Sequence, residues 1–157
     1  MPIEIERKFL TLSDGWRAKC NGSIRLADGL IASEGGRKVR VRIAGERGYL
    51  TVKGPRTGFS RDEYEYEIPL SDAEHMLQNQ CANIIVTKTR YFVLEDGFTF
   101  EVDVYEGILE GVVIAEAELT DPKQEFPRPI WLGEEVTGRE EYRKINLLRA
   151  RLKERSE

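Results

Sequence analysis

Charged residues in this chain fall in short rows at every second position. Glu4, Glu6 and Lys8 follow that spacing, as do Arg40 and Arg42; Glu63, Glu65 and Glu67; Lys88 and Arg90; Glu101 and Asp103; and Glu116 and Glu118. Lys53 adds a cation directly before Gly54-Pro55. In an extended strand, side chains at i and i+2 point to the same side, so each row is one face of one strand. Carboxylate rows offer hard oxygen ligands of the kind that Mg²⁺ or Mn²⁺ takes. Rows of Arg and Lys suit phosphate oxygens, Arg through a planar fork of donors and Lys as a point charge. A phosphate chain between a basic wall and a metal-bearing acidic wall is well set for phosphoryl transfer, which relies on positioning and charge stabilisation.

Taken alone, each row also reads as the wet face of a half-exposed strand. Two features point inward instead. The charged face recurs on strand after strand, and several strands carry one sign only, whereas a face chosen for solubility mixes signs. Rows of like charge need neutralising; opposing rows across a barrel interior, together with metal and a polyanion, would do so.

The rows must be positioned by strands, expected at Ile3 to Leu10, Ser23 to Ser33, Lys38 to Ile43, Tyr49 to Lys53, Glu63 to Ile68, Val86 to Leu94, Phe98 to Tyr105 and Val112 to Leu119. Gly45 to Gly48 and Glu95-Asp96-Gly97 read as hairpin loops, and Gly35-Gly36 as a turn. One helix is expected from Ser71 to Cys81, opened by a capping box at Ser71-Asp72-Ala73-Glu74. A second is expected from Arg139 to Lys153, with Tyr142, Ile145, Leu148 and Leu152 on one face. The class is mainly β (α+β), an antiparallel barrel or sandwich with peripheral helices, and closure into a barrel would remove exposed strand edges.

The length of 157 residues fits a single domain spanning 1–157. Charged residues make up 33% of the chain, above the roughly 25% of an ordinary soluble domain, which again asks where the excess goes. A net charge of -4 argues against a general nucleic-acid binder. Cys20 and Cys81 lie far apart and read as reduced thiols, not as a metal cluster or a disulfide framework. No apolar run reaches membrane-spanning length, and the charged N-terminal segment lacks the apolar core of a signal peptide, so a cytoplasmic protein is expected. His75, the sole histidine, reads as an exposed helix residue, which removes His-based triads and zinc sites. Trp16, Trp131, Tyr64 and Tyr66 read as packing residues.

The chain resembles the CYTH, or triphosphate tunnel metalloenzyme, superfamily. The opening Glu4-Ile5-Glu6-Arg7-Lys8 carries its ExExK signature. The likeness continues through Val39-Arg40-Val41-Arg42, Leu50-Thr51-Val52-Lys53-Gly54, Arg61-Asp62-Glu63-Tyr64-Glu65, Lys88-Thr89-Arg90-Tyr91, Glu101-Val102-Asp103-Val104, Glu116-Ala117-Glu118-Leu119 and Trp131-Leu132-Gly133-Glu134-Glu135-Val136-Thr137. The resemblance implies a closed eight-stranded antiparallel tunnel, open at both ends, using Mg²⁺ or Mn²⁺. It implies Glu4, Glu6, Asp103, Glu116 and Glu118 as metal ligands, and Lys8, Arg40, Arg42, Lys53 and Arg90 as phosphate-gripping residues. Lys88 falls where the attacking water is oriented or deprotonated, so Lys88, Lys8 and Lys53 form the implied catalytic set. Glu63, Glu65 and Glu101 are expected to line the tunnel or hold a second metal.

The nearest subgroup is that of compact bacterial proteins hydrolysing tripolyphosphate, which implies a small-molecule triphosphate substrate and no nucleic-acid or membrane partner; a homodimer is compatible with it. Two segments depart from that subgroup: Asp28-Gly29-Leu30 stands where Gln-Gly-Tyr is usual, and Lys144 falls where asparagine is expected. Lys144 is read as a solvated helix residue. The alternatives are an adenylate cyclase, for which no adenine-recognising element is evident, a non-catalytic polyphosphate- or nucleotide-binding module, and a lipocalin-like barrel with an apolar lumen.

Overall fold

Period-two alternation is realised as a closed sheet in a computed structural model that describes residues 3–81 and 85–156. In chain order the elements are β1 (Ile3–Thr11), β2 (Cys20–Glu34), β3 (Arg37–Ala44), β4 (Arg47–Lys53), β5 (Ser60–Ile68), α1 (Leu70–Asn79), β6 (Val86–Glu95), β7 (Phe98–Tyr105), β8 (Val113–Leu119), β9 (Leu132–Glu135) and α2 (Lys144–Ser156). The sheet runs β5-β4-β3-β2-β6-β7-β8-β1, and β1 pairs back onto β5, so eight antiparallel strands close into a barrel. The ninth strand, β9, joins β1 at Phe9 and Thr11, beyond the stretch that β5 covers. It was not expected from the sequence, being short and lacking an alternating run.

The tight connections follow turn chemistry. Asp96 and Gly97 both adopt positive φ, 47° and 78°, as a two-residue hairpin of the I′ kind requires. The helices differ from expectation at their starts. α1 opens at Leu70 behind Pro69, with no side-chain cap, so the Ser71 capping box does not form. Ala73 and Leu77 are the buried positions of this helix, packed with Val41 and Cys81 against β3 and β4, and that packing sets its register. The expected second helix is interrupted. Glu140–Tyr142 forms a separate 3-10 turn and Arg143 is extended, so α2 begins only at Lys144. Leu152, expected on the packed face, is 41% exposed.

Apolar side chains face outward from the barrel and are covered from outside. Phe9, Val93, Phe100, Val102, Ala115 and Ala117 form one core with Trp16 and Trp131, which come from the segments flanking β1 and β9. A second layer lies under α1. The third cluster closes a barrel end: Leu148 of α2 is buried with Val86, Tyr105, Leu109 and Ile114. One end of the tunnel is therefore covered, where two open ends were expected.

Among the described residues no helix is long and apolar enough to cross a membrane. Cys20 and Cys81 are free thiols, and His75 is exposed on α1. A β-carbon on Gly29 would meet the Cys81 sulfur and lie 2.7 Å from Leu77 Cδ2, so α1 can approach β2 only because no side chain stands there. Replacing Gly29 by Ala should lower stability by about 1–3 kcal/mol, the usual cost of overpacking, measured as a fall in the urea unfolding midpoint.

Candidate active site

The inward face of each strand carries the charged rows. Register sets them side by side: Glu6 opposite Glu118 and Lys8 opposite Glu116 between β1 and β8, Glu101 opposite Glu116 between β7 and β8, Arg90 opposite Asp103 between β6 and β7, Asp28 opposite Arg42 between β2 and β3, and Lys53 opposite Glu63 between β4 and β5. They enclose a cavity of about 830 Å³. Glu4, Glu6, Lys8, Arg40, Arg42, Lys53, Glu63, Glu65, Lys88, Arg90, Glu101, Glu116 and Glu118 all line it. Asp103 sits directly behind, with no exposed surface. The lumen is charged, which overturns the lipocalin-like alternative.

Neutralisation comes largely from the neighbouring strand, not only across the lumen as expected. Arg90 donates to Asp103 from Nε at 2.8 Å and Nη2 at 3.0 Å, and lies 2.8 Å from Glu101 and 3.5 Å from Glu116. Lys88 Nζ is 2.7 Å from Asp103 Oδ2, the oxygen that Arg90 Nη2 also reaches, and 3.4 Å from Tyr105 Oη. Burial alone would raise the Asp103 pKa, but Lys88 and Arg90 outweigh it and hold the carboxyl below its usual range. Asp103, expected with the metal ligands, spends both oxygens on these two cations.

Lys53 bridges Glu4 at 3.3 Å and its cross-strand neighbour Glu63 at 3.1 Å. Glu6 lies 3.6 Å from Lys8 and 3.2 Å from Arg56, a residue of the β4–β5 loop that periodicity does not flag. Arg40 stands 3.6 Å from Glu65, while its Nε is buried and, among the described residues, meets no acceptor. Glu101 and Glu118 lie toward the ends of β7 and β8 remote from the α2-covered Tyr105 and Ile114.

Sequence reasoning missed several lining residues. Lys38, Arg56, Arg61, Arg143 and Tyr105 all face the cavity. For Lys38 a signal existed, since it continues the Arg40–Arg42 row at the same spacing. Burial and the nearby Arg61 and Arg143 push its pKa down to about 8. Lys144 is not solvated as expected: it reaches into the cavity and sits 3.2 Å from Asp28. Cationic side chains outnumber carboxylates around the lumen of a chain whose net charge is -4. That inversion marks the lumen as a site for an anion.

The carboxylates Glu4, Glu6, Glu101, Glu116 and Glu118 are oxygen donors of the type a hard divalent cation takes. As the side chains stand, among the described residues no group of three closes around one point. Their crowding is nonetheless registered: burial, then Glu101, Glu4 and Glu6, push the Glu118 pKa up to about 8. A carboxyl raised in the folded state destabilises the fold as pH climbs from its unfolded value toward 8. The Glu118→Gln variant should therefore gain stability over the parent at pH 8.5 in chelator, with the difference vanishing near pH 4.5, as measured by urea denaturation at both pH values.

Comparison with known proteins comes to the same point. The CYTH domain family matches residues 2–151. An inorganic triphosphatase of Acetivibrio thermocellus is 44% identical over 149 residues, 95% of each chain. An inorganic triphosphatase of Nitrosomonas europaea is 37% identical over 146 residues, covering 89% of this chain and 93% of the other. The crystal structure of the inorganic triphosphatase NE1496 superposes with a TM-score of 0.64 at 33% identity, covering 92% of this chain and 97% of that one. With its charged rows turned into a closed barrel and a match over nearly its whole length, this chain belongs to the CYTH domain family.

Proposed function

We propose that the protein is a metal-dependent triphosphatase that hydrolyses inorganic tripolyphosphate, acting as one domain over residues 1–157. The observation that carries this reading is the cation-rich lumen enclosed beside a carboxylate cluster. The buried and unpartnered Arg40 Nε supports it, because a buried donor without an acceptor is costly and a phosphate oxygen would satisfy it.

Lys8, Arg40 and Lys53 grip phosphate oxygens from three strands. Arg42 and Arg90 each spend one edge of the guanidinium on a carboxylate, Asp28 and Asp103, which fixes their planes; Arg42 keeps its Nη1 donors for phosphate, while Arg90 also holds Glu101 through Nη1 and would turn to phosphate as that carboxylate is released. Glu4, Glu6, Glu116 and Glu118 would hold Mg²⁺ or Mn²⁺, with Glu63, Glu65 and Glu101 keeping the adjacent cations in place. When bound, the metal supplies Lewis-acid polarisation of a phosphoryl oxygen. Lys88, pinned by Asp103 and beside Tyr105, orients the attacking water. Water adds to the terminal phosphorus, the bond to the bridging oxygen breaks, and orthophosphate and pyrophosphate leave. Donors already aimed before substrate arrives need no reorganisation during the reaction.

The test is phosphate release from tripolyphosphate, ATP and thiamine triphosphate with Mg²⁺ or Mn²⁺. Tripolyphosphate should turn over with the largest kcat/KM; release from none of the three sinks the reading. Lys8→Ala and Glu4→Gln should each lower kcat by at least about 100-fold, as loss of a transition-state contact does. Glu4→Gln should also abolish the rise in melting temperature that Mn²⁺ alone gives the parent, a readout independent of turnover. A Glu4→Gln variant that keeps both activity and Mn²⁺ response removes Glu4 from the metal site.

A further inference from the structure

We propose that Asp28 is a specificity-determining residue that ends the phosphate track and restricts the site to short phosphate chains. This rests on the triphosphatase reading and adds to it a limit on substrate length.

Asp28 is only 4% exposed and lies on the inward face of β2, in the basic wall. Arg42 donates to it from Nε at 2.6 Å and from Nη2 at 2.8 Å. Lys144, the first residue of α2, donates at 3.2 Å. Arg40 also bears on the carboxylate; burial and then the like-charged Lys88 push the Lys144 pKa well down, with Asp28 pulling it back up. Burial raises the Asp28 pKa, but Lys144 and Arg42 dominate and hold it well below the carboxylate range, so it carries a full negative charge. Its two oxygens present to the guanidinium the same planar, forked pair that a phosphate would. Asp28 thus occupies an anion position that the protein supplies itself.

This built-in anion sits at the covered end of the barrel. Lys144 ties it to α2, and Leu148 of that helix fills the same end with apolar contacts. A phosphate chain entering from the mouth by Glu101 and Glu118 finds cations to pair with on its way inward. At Arg42 it meets a carboxylate already seated. A further phosphate must break the bidentate ion pair or lie beside a like charge in a poorly hydrated space, and both are costly. That cost falls on the longer chain and spares the shorter one.

The experiment compares kcat/KM for linear tetrapolyphosphate with that for tripolyphosphate. Asp28→Asn keeps the shape and removes the charge, so the ratio should rise on the order of tenfold, since loss of one like charge in such a site outweighs the ~1.4 kcal/mol that tenfold represents. Asp28→Glu keeps the charge and should stay near the parent ratio. Lys144→Met leaves Asp28 less neutralised and should lower it. An unmoved ratio in Asp28→Asn, or an equal rise in Asp28→Glu, overturns the proposal. Should Asp28→Asn fail to fold, an unmoved or raised ratio in Lys144→Met overturns it instead. Calorimetric binding of both chains in chelator gives the same ratio without turnover. A parent protein that hydrolyses neither chain therefore defeats the triphosphatase reading, and binding still decides the length limit.

Discussion

A charge taken out of water must be matched by another charge at close range or it will not stay ionised. The barrel satisfies that condition strand by strand. Arg90 and Lys88 share Asp103, Arg42 takes Asp28, and Lys53 lies between Glu4 and Glu63. Cross-strand neighbours are held close by the sheet itself, so these pairs need little freezing of flexible side chains beyond what the backbone provides. Asp103 shows what depends on the matching. It is fully buried, and removing its charge would take from Lys88 the carboxylate it pairs with and leave Arg90 to Glu101 and Glu116.

Turning the charged faces inward dictates the rest of the architecture. Most inward charges leave an apolar neighbour pointing outward, and much of the hydrophobic core must therefore form outside the barrel. The 3-10 turn Gly15–Lys19 brings Trp16, the approach to β9 brings Phe126 and Trp131, and α1 brings Ala73 and Leu77. Outer positions beyond these covers stay wet, as Val52 and Tyr66 do at 40% and 63% exposure. Peripheral elements that look incidental in chain order are thus the second half of the core, and without them the barrel could not keep its lumen polar.

The strands and their inward faces were legible because a period of two is a direct consequence of backbone geometry, and Asp96-Gly97 is read off turn chemistry alone. Elements without a period were not. β9 is four residues long and is recruited by pairing with β1. The Ser71 capping box was outweighed by the packing of Ala73 and Leu77, and a continuous helix from Arg139 by the extended backbone at Arg143. Asp28 stood out only as a departure, a single acid among Leu26, Ala27, Gly29 and Leu30. Its role needs Arg42 from the next strand and Lys144 from 116 residues further along, a coincidence that no local pattern encodes.

The same pairing explains why, among the described residues, the lumen carboxylates do not gather around a common point. Glu4 is engaged by Lys53, Glu6 by Lys8 and Arg56, and Glu116 by Arg90. A divalent cation can gain these carboxylates only as their ammonium and guanidinium partners gain another anion. A polyphosphate offers that anion in the same space. Under the proposed function the two exchanges would reinforce each other, phosphate oxygens pairing the cations as the carboxylates are freed to hold a hard divalent cation. A lattice of internal ion pairs is in this sense what lets the fold hold a lumen so densely charged.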